Sequence, residues 1–156
     1  MVRFALVVSD YHLTITNGLE AGARAVLAEA GAAERCDRFV VPGAYEIPQV
    51  AQRVAESGRF AAVICLGCLI RGETPHFDYI SQAVSHGIMR AAQSTGIPMA
   101  FGVLTTNTVA EAIARAGADR ANKGREAAAA AVAMARLYRR LDLAEAGDLE
   151  ASGDAS

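Results

Sequence analysis

The sequence predicts a three-layer α/β sandwich, in which a central, mainly parallel sheet of four strands carries helices on both faces. Three observations point to it. Short continuous apolar runs alternate along the chain with segments of helical periodicity. Gly or Pro punctuates most junctions between them. No internal repeat and no long linker divides the 156 residues, 53% of them hydrophobic, so a single domain with a sizeable core is expected. Strands alternating with helices build right-handed βαβ units and a parallel sheet covered on both sides.

Residues 4–8 (FALVV) read as a buried strand. Leu19, Ala23, Val26, Leu27 and Ala30 recur at helical spacing, and Gly31 ends that helix. Residues 38–41 (RFVV) form a short second strand stopped by Pro42-Gly43. A second helix carries Ile47, Val50, Ala51 and Val54 and ends at Gly58. Residues 60–66 read as the third strand, stopped by Gly67. The third helix starts near Pro75, carries Ile80, Val84 and Ile88 on one stripe, and ends at Gly96. Pro98 opens the fourth strand, which runs through Leu104. Thr108-x-x-Glu111 is a capping box for a short helix bearing Val109, Ala112, Ile113 and Ala116. Asn122 can cap a last helix reaching about Leu141. The domain expected is thus residues 1–141, flavodoxin-like in arrangement, and residues 142–156 are expected to be a flexible acidic tail without periodicity.

Composition narrows the function classes. There are 17 acidic and 15 basic residues, a net charge of −2, which does not suit a nucleic-acid binder. No run approaches the roughly 18 uninterrupted apolar residues of a membrane helix. The start of the chain has no small-residue cleavage site of the kind a signal peptide carries. An odd count of three cysteines then reads as reduced and cytoplasmic. Cys65 and Cys68 form a C-x-x-C, but residues three apart on a strand face opposite sides, and no second ligand pair exists for zinc. They read as small buried hydrophobes. Alanine supplies 34 residues, so helices pack closely and each buried side chain contributes little. Extra stability from oligomerisation fits that composition.

Parallel sheets bind ligands at the carboxyl ends of their strands. That rule selects Ser9-Asp10-Tyr11, residues 42–46, residues 67–76 and Thr105-Thr106-Asn107. The richest segment is GCLIRGETPHFDY (67–79). Free N–H groups at the helix start and the Thr74 hydroxyl can hold a phosphate, and His76 can exchange protons near neutral pH. The same residues also suit an ordinary polar loop with a capping Thr and an exposed His. The common nucleotide-phosphate fingerprints are absent. In PGAYE (42–46), Glu46 can accept hydrogen bonds from ligand hydroxyls or amines, or simply complement a helix start. Tyr11 can offer a flat face for stacking, or pack at a strand end. NKGR (122–125) puts Lys, Gly and Arg where a first helical turn prefers Asp or Glu, which marks a functional site or a tight contact. Arg115 ends the short helix about 10 Å behind the carboxyl edge. It either complements that helix's dipole or serves an anion site, for which a neighbouring subunit's edge is the easier geometry.

Taken together, VPGAYEIP (41–48), LGCLIRGETPHFDY (66–79), FGVLTTNT (101–108), AIARAG (112–117) and NKGREAA (122–128) resemble the 6,7-dimethyl-8-ribityllumazine synthase family. They stand in family order and spacing over nearly all of residues 2–141. The resemblance implies condensation of 5-amino-6-(D-ribitylamino)uracil with 3,4-dihydroxy-2-butanone 4-phosphate, the penultimate step of riboflavin biosynthesis. It implies no metal and no organic cofactor, and two small-molecule substrates. His76 matches the family's proton-transfer histidine, and Tyr11 the aromatic that stacks on the pyrimidine. Ala44, Tyr45 and Glu46 match the segment lining the ribityl-uracil site, and Cys68, Leu69 and Ile70 match residues whose backbone meets the pyrimidine. Glu73 and Thr74 match the phosphate-binding loop. Phe101 and Arg115 match residues that enter the site from the adjacent subunit, Arg115 on the phosphate, and Lys123 matches a lysine near that interface. The resemblance implies a pentamer, and in some relatives a shell of twelve pentamers. Two departures stand out. Many relatives carry an N-terminal segment ahead of the first strand, with little or no counterpart here, and GADRAN (117–122) has the length of the shell-forming loop but not its usual wording.

Overall fold

The computed structural model describes residues 2–153, with side chains as far as 148. Four strands, β1 (Phe4–Ser9), β2 (Cys36–Val41), β3 (Ala62–Ile70) and β4 (Met99–Thr106), form one sheet in the order β2-β1-β3-β4. All three pairings are parallel, with Val7 opposite Phe39, Val8 opposite Leu66 and Cys65 opposite Phe101. The helices are α1 (Leu13–Glu29), α2 (Ile47–Glu56), α3 (His76–Thr95), α4 (Val109–Ala114) and α5 (Lys123–Gly153), and a 3₁₀ turn, Ala44–Glu46, precedes α2. The predicted three-layer α/β arrangement is the one found.

The pleat divides the core in two. Phe4, Leu6 and Val8 of β1 with Ile64, Leu66 and Cys68 of β3 pack under α1 and α5. Ala5 and Val7 with Val63 and Cys65 pack under α2 and α3, against Ile47, Ala51, Val84 and Ile88. Cys65 and Cys68 therefore face opposite layers, and both are free thiols.

Several element ends shift by two residues from the sequence reading: β2 begins at Cys36, β3 at Ala62, β4 ends at Thr106 and α4 at Ala114. Two differences are larger. The third strand does not stop at Gly67; it continues to Ile70. Gly67 stays in register with Val103, and its missing side chain is required by packing: a Cβ there would sit 2.9 Å from Ile47 Cδ1 and 3.1 Å from Ser9 Oγ. The last helix does not end near Leu141 but runs to Gly153. Leu, Ala and Glu are good helix formers and sustain it, although residues 139–148 are exposed. Residues 154–156 of the expected tail lie outside the described residues. Helix α3 starts beside Pro75, as the sequence predicts, with Pro75 as its N-cap.

The odd NKGR turn is a tight contact. A Cβ on Gly124 would lie 1.9 Å from the Leu19 carbonyl oxygen, and one on Gly22 would strike Asn122 at 2.2 Å. Only glycines let α1 and α5 approach so closely. Asn122 is buried between them. Its Oδ1 accepts from the Gly124 and Arg125 N–H groups at 2.8 and 3.1 Å, and its Nδ2 donates to the Gly18 and Gly117 carbonyls at 2.9 and 2.8 Å. One side chain thus caps α5, holds α1 and closes the loop after α4. Asn122→Ala removes all four bonds and strands buried backbone groups. A destabilisation of about 3 kcal/mol is expected, read as a lower urea midpoint with unchanged slope.

Candidate active site

β1 pairs with β2 on one side and β3 on the other, so the chain direction of the crossovers reverses there, and a crevice opens beyond the carboxyl ends. It holds a cavity of about 650 Å³ lined by Tyr11 and His12 after β1, Gly43 to Glu46 after β2, Cys68 to Ile70 at the end of β3, and Gly72, Thr74, His76, Phe77, Ile80 and Val109. Of the residues singled out in the sequence, Tyr11, Ala44, Tyr45, Glu46, Cys68, Leu69, Ile70, Thr74 and His76 converge here. Glu73 is not among the lining residues.

The loop between β3 and α3 is fastened at three points. The Arg71 guanidinium donates to Asn107 Oδ1 at 2.9 Å and to Asp78 Oδ1 at 3.2 Å, and lies 4.6 Å from the Phe77 ring centre. The Thr74 hydroxyl accepts from the His76 N–H at 3.4 Å, so it sits at the helix start where an anion would be held. His76 is the first residue of α3, exposed to the cavity, with Asp78 two residues on engaged by Arg71.

Phe101, Arg115 and Lys123 do not join this cavity. They line a second depression of about 320 Å³, with Gly102 to Thr106, Glu126, Ala127 and Ala130, which shares no lining residue with the first. The capping box forms in a shifted version: Thr108 Oγ1 accepts from the Glu111 N–H, while the Glu111 carboxylate accepts from the Asn107 N–H rather than from Thr108. Arg115 gives one N–H to the Glu111 carbonyl at 2.9 Å, its helix-end role, and the rest of its guanidinium borders the depression. The Lys123 N–H bonds the Arg115 carbonyl at 2.8 Å, which brings both cations to one place, and Lys123 Nζ pairs with Glu126 at 2.7 Å. Among the described residues no three His, Cys, Asp or Glu side chains gather as a metal would require. No helix among them is long and apolar enough to cross a membrane.

Sequence reasoning missed His12, which lines the main cavity and is, among the described residues, the one non-glycine at positive φ (58°). Its available signal was its place between a strand-end aromatic and a helix start. The cysteines are chemically quiet. Burial pushes the Cys65 thiol up to about 12 and the Cys68 thiol up to about 11, so at neutral pH Cys68 meets the cavity as a neutral thiol, not a nucleophile. Unfolded thiols ionise near pH 9, while these two stay protonated in the fold. The stability they contribute is therefore complete below pH 9 and falls as pH rises toward 11–12. For Cys65 the slope is about 1.4 kcal/mol per pH unit. Melting temperatures measured from pH 8 to 11 are expected to fall, and less steeply in Cys65→Ala.

The family model of 6,7-dimethyl-8-ribityllumazine synthase matches residues 1–139. The chain is 43% identical over 142 residues to a 6,7-dimethyl-8-ribityllumazine synthase of Deinococcus radiodurans, covering 90% of this chain and 92% of that protein. It is 48% identical over 140 residues to 6,7-dimethyl-8-ribityllumazine synthase 1 of Caulobacter vibrioides, covering 89% and 92%. The crevice at the β1/β3 edge and a match over this span of the chain lead to one conclusion: the chain belongs to the 6,7-dimethyl-8-ribityllumazine synthase family.

Proposed function

We propose that the chain is a lumazine synthase whose active sites are completed between neighbouring copies in a pentamer. The reaction condenses 5-amino-6-(D-ribitylamino)uracil with 3,4-dihydroxy-2-butanone 4-phosphate to 6,7-dimethyl-8-ribityllumazine, with release of phosphate and water. The observation that carries the assembly reading is the separation of the two depressions. One holds the aromatic, the carboxylate, the hydroxyl and the imidazole; the other holds Arg115, Lys123 and Phe101. Within one chain no cation of the second set lines the cavity of the first, and the Arg71 guanidinium in the Thr74 loop is engaged by Asn107 and Asp78, so Arg115 would meet a phosphate at Thr74 from another copy.

Each residue then has a role that its chemistry supports. Tyr11 stacks on the pyrimidine while the backbone of Cys68, Leu69 and Ile70 meets its edge. Glu46 accepts from the ribityl hydroxyls, beside Ala44 and Tyr45. The amine of the pyrimidine attacks the butanone carbonyl, and loss of water gives an imine. His76 moves the protons that this step and the elimination of phosphate require. Thr74 and the α3 N-terminus hold the phosphate from one side, with Glu73 in the same loop, and Arg115 of the adjacent subunit holds it from the other. Phe101 closes the pocket from that subunit, and Lys123 adds positive charge near the interface. Ring closure releases the second water. Most of the rate then comes from holding two reactants together. The free thiols of Cys36, Cys65 and Cys68 support a reducing, cytoplasmic setting for the enzyme, and the twelve-pentamer shell is the largest assembly the reading admits.

Light scattering on the eluted protein is expected to give five times the 16.3 kDa chain mass, or a multiple of that for a shell. Both substrates together are expected to yield the absorbance and fluorescence of the lumazine with phosphate release; background-level product from folded protein would refute the activity. His76→Ala is expected to slow turnover about 10²-fold with the assembly intact. Arg115→Ala is expected to raise the KM for the butanone phosphate about tenfold or more. Refolding the two variants together provides the sharpest check, since mixed oligomers contain some sites with neither lesion. Recovered turnover supports sites shared between subunits, and none at all contradicts them.

A further inference from the structure

We propose that His12 is a positioning residue for the pyrimidine substrate, acting through the ring of Tyr11. The inference rests on the reading of the main cavity given above and adds a residue to it. His12 has φ 58° and ψ 53°, the left-handed region that a β-carbon makes unfavourable. Gly or Asn would accept that turn more readily, because neither sets a large side chain against the backbone there. The turn itself uses only backbone: the His12 carbonyl accepts from the Ile15 and Thr16 N–H groups at 3.0 and 3.1 Å and opens α1, and the imidazole makes no capping bond. The helix start therefore does not explain an imidazole at this position.

What the imidazole does touch is Tyr11. The two ring centres are 4.6 Å apart and the planes meet at 76°, an edge-to-face contact. In an extended chain, neighbouring side chains point to opposite sides. The left-handed turn cancels that alternation: the two rings meet, and both residues border the same cavity. Tyr11 is 65% exposed, and little else fixes its ring. A stacking platform that swings freely must be ordered when the flat ligand binds, which weakens binding. His12 orders it beforehand. The backbone strain at residue 12 is thus retained at the point where a defined ring pose matters.

The test uses three variants: His12→Gly and His12→Asn, which keep the turn and remove the ring, and His12→Phe, which keeps a ring. The probe is 5-amino-6-(D-ribitylamino)uracil alone, titrated by calorimetry, which needs no turnover, with inorganic phosphate as a second probe. The Gly and Asn variants are expected to bind the pyrimidine about tenfold more weakly, with melting temperatures no lower than the parent's. Phosphate affinity is expected to stay within twofold, and His12→Phe is expected to recover most of the pyrimidine affinity. In turnover, the KM for the pyrimidine rises while that for the butanone phosphate and kcat change little. Parental pyrimidine affinity in the Gly and Asn variants overturns the inference, as does an equal loss for both probes or a folded Phe variant as weak as Gly. If the parent itself does not bind the pyrimidine, the reading of the cavity falls first; parental binding with unaltered variants removes only His12.

Discussion

The double pairing of β1 is the constraint on which the rest depends. It is hydrogen-bonded to β2 on one side and β3 on the other, and all six of its side chains are buried. A central parallel strand with both neighbours in place leaves the chain two ways to go at its carboxyl end, one crossover to each face. The crevice between those departures is where Tyr11, the Ala44–Glu46 turn and the end of β3 meet. No side chain had to create that hollow; topology supplies it, and the residues that border it supply the chemistry. Ser9, at the end of β1, is fully buried beside Gly67. The floor of the crevice is therefore packed sheet, and its open side is bordered by the loops.

A second constraint places the cations. The α1–α5 contact is made at glycine and alanine positions, and Gly124 brings the two backbones within a distance that no β-carbon tolerates. Asn122 fills the remaining space with four hydrogen bonds and fixes where α5 begins. The Lys123 N–H then holds the carbonyl of Arg115. Arg115 and Lys123, the cations proposed for the phosphate, are thus positioned by a helix-packing contact. The alanine excess serves the same end, because small residues such as Ala23, Ala127, Ala128 and Ala131 bring the helices close to each other and to the sheet.

How much of this was legible in the sequence depended on the range of the interaction behind each feature. Local patterns read well: the apolar runs became strands, Thr108 and Glu111 became a cap, and Asn122 became another. Gly67 was misread because a glycine that ends a strand and a glycine that lets a strand pass close to Ile47 look the same in one dimension. The end of α5 was misread because acidic, alanine-rich segments are compatible with both helix and coil, and the apolar periodicity that marks a buried face disappears where the face is no longer covered. The residues that gather in the crevice at the strand ends were legible through topology. His12 was not, because a left-handed backbone at a non-glycine residue has no reliable sequence mark. NKGR breaks a local rule of helix starts, and the tight contact at Gly124 accounts for it.

The separation of Arg115 from His76 carries the deeper point about what a single chain encodes. The helix that bears Arg115 leaves the carboxyl edge and turns its cation toward the flank of β4, beside Phe101. Moving that cation to its own chain's cavity would require a different crossover, not a different rotamer. The two surfaces share no residue, with an imidazole at a helix start on one and Arg115, Lys123 and an aromatic on the other, and the proposed pentamer makes them complementary halves of one site. A closed ring is the assembly in which every such half meets a partner and none is left over. Selection on the reaction would then act as selection on the ring, since a copy that fails to join would lose its own site and leave its neighbour's incomplete. In the proposed ring, the packing of α5 against α1 and the proton transfer assigned to His76 are one requirement met in two places.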